Sequence, residues 1–258
     1  MHVWSTSLIG VLVVLLLIAW GLPFVLGPVV LLKAAPTPHG LPYVALGESD
    51  DVGLPDSVRQ YVDDSQRTLV GRGFTRRMRA RNPNARRAHQ VITLLECPRD
   101  PATVFTLISV SSQLGITMAT TFDTRFADGC RLLTSNSPMV IRAPKHPRTD
   151  GVTFPEIGDV GRLCDIHRAR VAERARRVPI APTTFGPDPL AFIDREGREM
   201  QECWVARGYY RRVGAEGIKL TLKGAMFATW RGLFPWRHIT RWSKERKARA
   251  VFRRLGFA

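Results

Sequence analysis

The first part of this sequence lacks charge altogether. From Val3 through Leu32 there is no Asp, Glu, Lys or Arg, although the 258-residue chain has 38 basic and 22 acidic side chains and a formal net charge of +16. Every formal side-chain charge therefore lies in residues 33–258. This distribution argues against a wholly soluble enzyme and against a wholly disordered basic tail. No second uncharged run of spanning length exists, which argues against a polytopic membrane protein.

Motifs of common enzymes and metal sites are also missing. The chain contains no glycine-rich nucleotide loop, no HExxH and no GxSxG. Its four cysteines are isolated, without a CxxC pair, and small buried thiols are a more common role for such cysteines than zinc ligands. The sequence therefore predicts no cofactor and favours a protein that is not an enzyme.

The uncharged run is long enough to cross a bilayer. A helix rising about 1.5 Å per residue needs roughly 20 apolar residues to cross a hydrocarbon core about 30 Å thick. We therefore expect a single transmembrane anchor over residues 1–32, contacting the bilayer through 5–32. Pro23 and Pro28 would kink this helix or end it early. A cleaved signal peptide is the alternative, but the run is too long and only His2 and the terminal amine precede it.

The orientation of this anchor depends on one residue. Lys33 is the only basic residue close to the uncharged run, because the next one is Arg59. Basic residues mark the cytoplasmic side of a span, so we expect a single-pass protein of the cell membrane whose large domain is cytoplasmic. In that compartment the four cysteines would stay reduced.

The middle of the sequence predicts one α+β domain. Residues 33–54, rich in proline and glycine, are expected to be a linker, and the domain follows over 55–218. A helix begins after Pro55, and later helices have apolar faces over 160–171 and 190–204.

Four runs of strand-forming residues lie between the first and second of these helices. Asp128-Gly129 is a typical hairpin turn between the last two runs. We therefore expect an antiparallel β-meander flanked by amphipathic helices. The four runs are Val91–Glu96, Val104–Val110, Ile116–Phe126 and Cys130–Thr134.

The last forty residues are strongly basic. Residues 219–258 contain eleven basic side chains and one acidic one, Glu245, and are predicted to form a basic helical tail. Tryptophan beside arginine is typical of a membrane interface, where each Lys or Arg near an anionic leaflet contributes about 1 kcal/mol. The residues expected to contact anionic lipid headgroups or another anionic ligand are Trp230, Arg231, Trp236, Arg237, Arg241, Trp242, Lys244, Arg246 and Lys247.

Other functions remain open at this point. A membrane-tethered enzyme would need a catalytic or metal site at the second helix and the hairpin, although core packing explains the same residues. Nucleic acid is a less favoured partner for the tail, because a tethered domain has anionic lipid closer to it. A merely solvated basic face is a further interpretation. The candidate site residues of the enzyme are Cys164, His167, Asp123, Asp128, Cys130 and His89.

The expected function is accordingly that of a binding or scaffolding protein. It would be anchored in the membrane by a single pass and would place its cytoplasmic domain close to the anionic surface. Its protein partner, if it has one, is not identified by any motif.

Overall fold

The structure, a computed structural model, describes most of the chain. The described residues are 3–40, 43–47, 54–83, 91–97, 105–111, 117–138, 144–181, 187–214 and 217–257. Within them the helices are α1 (Val3–Lys33), α2 (Asp56–Val70), α3 (Val160–Ala175), α4 (Pro189–Ala206), α5 (Leu222–Gly232) and α6 (Trp236–Arg254). The strands are β1 (Thr37–Pro38), β2 (Val44–Leu46), β3 (Thr75–Arg81), β4 (Val91–Glu96), β5 (Phe105–Ser111), β6 (Thr117–Arg125), β7 (Arg131–Ser135), β8 (Thr149–Thr153), β9 (Tyr210–Val213) and β10 (Gly217–Leu220).

These strands form two sheets. The larger sheet has the order β2-β3-β4-β5-β6-β7-β8 and the smaller has β1-β10-β9. Neighbouring strands run antiparallel except β7 and β8, which are parallel. The α+β class is therefore correct, and the four predicted runs pair in chain order as the antiparallel strands β4 to β7. The parallel strand β8 was not predicted. The sequence reading also missed β3, because its arginines hide the strand pattern.

The chain divides into two compact units. Unit 1 consists of Met1–His39, Val140–Pro144 and Glu199–Arg241, and unit 2 consists of Gly40–Met139, Lys145–Arg198 and Trp242–Ala258. Both α4 and α6 contribute residues to each unit.

The large sheet of unit 2 is covered on both faces. Successive side chains of a strand point to opposite faces, and the first five residues of β4 are all buried. Val91 and Leu95 belong to the main apolar cluster, with residues of α2, α3 and α6. Ile92 and Leu94 belong to a second cluster with Phe192 of α4. The strand therefore has no solvent face.

The helices of unit 2 follow from local sequence signals. The buried residues of α2 recur every three or four positions, and Gly71 ends the helix. Asp159 caps α3, because its carboxylate accepts hydrogen bonds from the amides of Gly161 and Arg162. The predicted apolar face of α3, including Leu163, Cys164 and His167, is buried as expected.

Unit 1 pairs α1 with α5. Gly27 makes the close approach possible, because a Cβ at this position would overlap the side chain of Thr229. The indole of Trp230 donates a hydrogen bond to the carbonyl of Phe24 (3.3 Å). Unit 1 also contains the small sheet, in which β1 pairs with β10. Strand β1 lies within residues 33–54, which were expected to be a linker.

The prediction of a transmembrane anchor is corrected by the structure. Within the described part of the chain, no helix combines the length and the apolar character that crossing a membrane requires. The description of residues 1–32 as a single-pass transmembrane segment is therefore wrong.

Candidate functional site

The residues expected to contact an anionic surface belong to different units. Unit 1 contains the first five of them, and unit 2 contains the last four. They are therefore described as two surfaces. The unit 1 residues are Trp230, Arg231, Trp236, Arg237 and Arg241, and the unit 2 residues are Trp242, Lys244, Arg246 and Lys247.

In unit 1, large apolar side chains are exposed where α5 is followed by α6. Phe234 is 60% exposed, Trp236 51% and Ile239 48%, and Trp230 is also exposed. We call these four residues the aromatic corner. Exposed apolar side chains rarely cluster on a soluble surface without a binding role. The nearby basic residues are Arg231, Arg237 and Arg241.

The second half of α1 has an exposed face of its own. Leu22, Val25, Leu26, Val29 and Val30 are between 44% and 67% exposed. Their spacing of three and four residues places them on one side of the helix. We call these five residues the α1 face.

The aromatic corner adjoins α1 through Trp230. Phe24 and Gly27 lie on the side of α1 opposite to the α1 face, and both contact α5 residues. The hydrogen bond from Trp230 to the carbonyl of Phe24 connects the corner to this helix. Unit 1 therefore combines exposed apolar, aromatic and basic side chains.

In unit 2, a cavity of about 850 Å³ lies between α6 and the start of α3. We call it the groove. On the α6 side it is lined by Trp242, Arg246, Arg249 and Arg253. Arg162 of α3 lies on the other side, with its guanidinium over the ring of Phe252 (5.4 Å to the centroid). The guanidinium of Arg246 lies over Trp242 (5.5 Å).

Two other basic residues of α6 are held in ion pairs. Lys247 Nζ lies 2.6 Å from Asp150 Oδ1 and also donates to the carbonyl of Gly151. Arg254 pairs with Glu173 of α3 (2.9 Å). Burial opposes the charge of Asp150, but the hydrogen bond from Lys247 and the charge of Arg170 together lower the pKa of Asp150. Lys247 therefore fixes α6 to the sheet, a role that the sequence did not predict.

The candidate catalytic residues Cys164 and His167 lie in the core. His167 Nε2 is 2.9 Å from the hydroxyl of Thr124, and Nδ1 is 2.9 Å from that of Thr134. The imidazole also stacks on Phe122. Burial, followed by the nearby positive charge of Arg170, lowers the pKa of His167 well below its usual value. Both ring nitrogens are thus engaged by hydroxyl groups, which favours a structural role.

Asp123, a candidate site residue of the enzyme, is completely buried in β6. Its carboxylate pairs with Arg131, which also lies 2.9 Å from Glu196 of α4, and Arg125 completes this network by pairing with Glu196. Burial raises the pKa of Asp123, against the lowering effect of Arg131.

The candidate site residues Asp128 and Cys130 stabilise the turn between β6 and β7. Asp128 accepts a hydrogen bond from the Cys130 amide (2.9 Å) and pairs with Arg174 (2.6 Å). These bonds lower the pKa of Asp128, the amide of Cys130 having the largest effect. His89 lies outside the described residues. Among the residues that the structure does describe, no three His, Cys, Asp or Glu side chains are placed to hold a metal ion.

The buried Arg170 was not anticipated from the sequence. Its guanidinium donates to the Leu133 carbonyl (2.6 Å) and to the Thr134 hydroxyl (2.7 Å). Burial lowers its pKa to about 10, although Asp150 counteracts this. Arg170 also donates to the carbonyl of Asp150 in β8 (3.2 Å), and it therefore ties α3 to two strands of the sheet.

Three groove residues were also missed, namely Arg162, Arg249 and Arg253. A signal for two of them was present, since Trp242, Arg246, Arg249 and Arg253 are spaced at intervals of four, three and four residues, which places them on one side of a helix. Arg162 could not be added from sequence spacing, because only the tertiary fold brings α3 beside α6.

Comparisons of the chain with protein-family models, with curated proteins and with solved structures find no match. The function is therefore argued from the geometry of the two surfaces.

Proposed function

We propose that this protein binds anionic membrane surfaces through unit 1 and acts there as a binding or scaffolding module. The observation that carries this proposal is the exposure of the aromatic corner beside arginines. Trp and Phe suit the bilayer interface, because their rings tolerate a region that is apolar on one side and wet on the other.

The α1 face provides additional apolar contact. A helix of this kind can lie in the interface with its apolar side among the first acyl carbons while its other side remains on protein. In unit 1 that other side is already occupied by α5, so the five exposed side chains of α1 have no described protein partner that covers them.

The arginines would supply the preference for anionic lipid. Arg231 and Arg237 have no carboxylate partner among the described residues, and each basic side chain near the surface contributes about 1 kcal/mol of attraction. Anionic lipids are concentrated in the cytoplasmic leaflet, which makes that leaflet the proposed place of action.

Vesicle binding by the full chain tests both contributions separately. Val25→Ser with Val29→Ser, and Trp236→Ser with Ile239→Ser, should weaken co-sedimentation with neutral phosphatidylcholine vesicles and with vesicles that also contain phosphatidylglycerol. Arg231→Gln and Arg237→Gln should each weaken binding about fivefold, only when phosphatidylglycerol is present, and less at high salt because salt screens exposed charges.

Matched controls are available within unit 1. Leu222 is as exposed as Phe234 but lies at the other end of α5, so Leu222→Ser should leave binding unchanged, and so should Arg211→Gln on β9. Equal losses for the control and test variants would contradict the proposal. Preferential retention of the protein on single-stranded DNA would contradict it in favour of nucleic acid.

A further inference from the structure

The groove of unit 2 has the shape of a small-molecule site. Its volume of about 850 Å³ falls within the range of roughly 300–1,000 Å³ typical of ligand pockets. Its α6 wall presents the rings of Trp242 and Phe252 and three guanidinium groups. These side chains converge with Arg162 from α3, so the basic character does not come from one helix alone.

The groove arginines differ in their pairing from Lys247 and Arg254 of the same helix. Lys247 and Arg254 are neutralised by Asp150 and Glu173. Among the described residues, Arg246, Arg249 and Arg253 have no carboxylate partner within ion-pair distance, and all three are exposed. The unit 2 part of α6 is thus anchored through Lys247 and Arg254 and presents Arg246, Arg249 and Arg253 to the groove.

Two acidic residues also line the groove, and they differ in availability. The carboxylate of Asp159 is engaged as the cap of α3, accepting from the Gly161 amide at 2.8 Å and from the Arg162 amide at 3.3 Å. Glu156 is exposed and has no such bond among the described residues. Glu156 should therefore repel an anionic ligand more strongly than Asp159 does.

We propose that the groove binds a small organic phosphate. The phosphate oxygens accept hydrogen bonds from Arg246, Arg249 and Arg253, since guanidinium groups match phosphate geometry in a bidentate manner. A flat part of the same ligand packs against Trp242 at one end of the groove. This site goes beyond the proposed membrane function, because it requires no bilayer and lies wholly in unit 2.

Calorimetric titration of the full chain tests the site with defined probes. Magnesium-free ATP, which combines phosphates with a flat ring, should bind more tightly than pyrophosphate, and adenosine should bind weakest. Arg249→Gln and Arg253→Gln should each weaken ATP binding about tenfold or more, because each removes a charged hydrogen bond.

Two further variants serve as controls, one expected to leave ATP affinity unchanged and one expected to increase it. Arg176→Gln removes the same charge from an exposed position at the end of α3, outside the groove, and should leave ATP affinity unchanged. Glu156→Gln should increase it. Equal losses in Arg176→Gln and Arg249→Gln would overturn the proposal, as would ATP and pyrophosphate binding with equal affinity.

The source of the phosphate is decided by competition. Vesicles of phosphatidylcholine with phosphatidylinositol phosphate would displace ATP if the natural ligand is a lipid headgroup, and would not if it is a soluble phosphate. Either result supports the site provided that Arg249→Gln weakens ATP binding about tenfold or more. Tighter binding of single-stranded DNA, increasing with strand length, would overturn it. The Trp236 and Val25 variants should not change ATP affinity, so failure of the membrane proposal is distinguishable from failure of this one.

Discussion

Units 1 and 2 differ in the exposure of their described apolar side chains. Unit 2 buries them in clusters on both faces of its large sheet. In the described residues, all of the large exposed apolar side chains belong to unit 1 except Val44, Val70 and Trp242. Among its described side chains, unit 1 buries few large apolar ones, with Ile218 as an example. In the described residues, the two units therefore differ in how far their apolar side chains are covered.

Charged residues show a parallel difference within unit 2. Arg125 and Arg131 lie in strands of the sheet, and Arg170 donates to it. All three are paired with carboxylates, whereas the groove arginines are not. A charge count along the chain treats these arginines alike. Their pairing separates those that stabilise the fold from those that are available to a ligand.

The largest expected difference in stability is between two Phe→Ala substitutions, one in each unit. Phe122 is completely buried in unit 2 and Phe234 is mostly exposed in unit 1. Phe122→Ala should lower the free energy of unfolding by about 3–5 kcal/mol, because it leaves a cavity in the core. Phe234→Ala should change it by less than about 0.5 kcal/mol. Chemical denaturation measures both, and similar losses would show that the exposed ring of Phe234 is part of a core after all.

A smaller effect is expected at the buried network of β6. Asp123→Ala removes a carboxylate that pairs with Arg131, but Arg131 keeps Glu196 as a partner. The expected loss in the free energy of unfolding is therefore about 1.5–3 kcal/mol, the usual range for a bond to a charged group. Arg211→Gln, on an exposed part of β9, is the control that should have no effect. An unchanged midpoint in Asp123→Ala would mean that desolvation of the carboxylate cancels its pairing.

The smallest effect concerns pH and His167. Its pKa in the folded protein lies below the ordinary value of 6.5, so below pH 6.5 the unfolded state binds a proton that the native state does not. The free energy of unfolding should therefore fall as the pH drops below 6.5, by up to about 1.4 kcal/mol per pH unit.

Replacement of this imidazole should remove that pH dependence. In His167→Gln the slope below pH 6.5 should flatten, while His238→Gln, at an exposed position in unit 1, should keep it. Urea unfolding between neutral pH and about pH 5 gives the slopes. A wild-type slope that persists in His167→Gln would assign the dependence to another group.

Local sequence patterns predicted much of the fold of unit 2. The burial of Val58, Val62 and Leu69 follows from helical spacing, and the β6–β7 hairpin follows from Asp128-Gly129. These features depend on backbone geometry and on neighbours in sequence, which a single sequence contains. The strand β3 was missed because its outward arginines obscure the alternation that would mark it.

The candidate sites were predicted less completely than the fold, because they depend on ion pairs and contacts between residues that are distant in sequence. Trp236 and Arg237 were predicted to contact an anionic surface from the basic, tryptophan-rich composition of the tail. Both are exposed, and their role stays a prediction. Lys247 was assigned to the same surface, but Asp150, nearly a hundred residues earlier, pairs with it. No sequence period connects residues that far apart.

The sequence by itself determined how charge is distributed along this protein. The first segment is uncharged and apolar, and the last is basic and contains tryptophan. It also determined most helices and strands, because hydrophobic periodicity depends only on local order. Only the tertiary structure decided which side of α1 packs against α5 and which side is exposed, and which cations of α6 are neutralised. Both depend on neighbours that are distant in the chain, and burial and ion pairing are properties of those neighbours rather than of the residue alone.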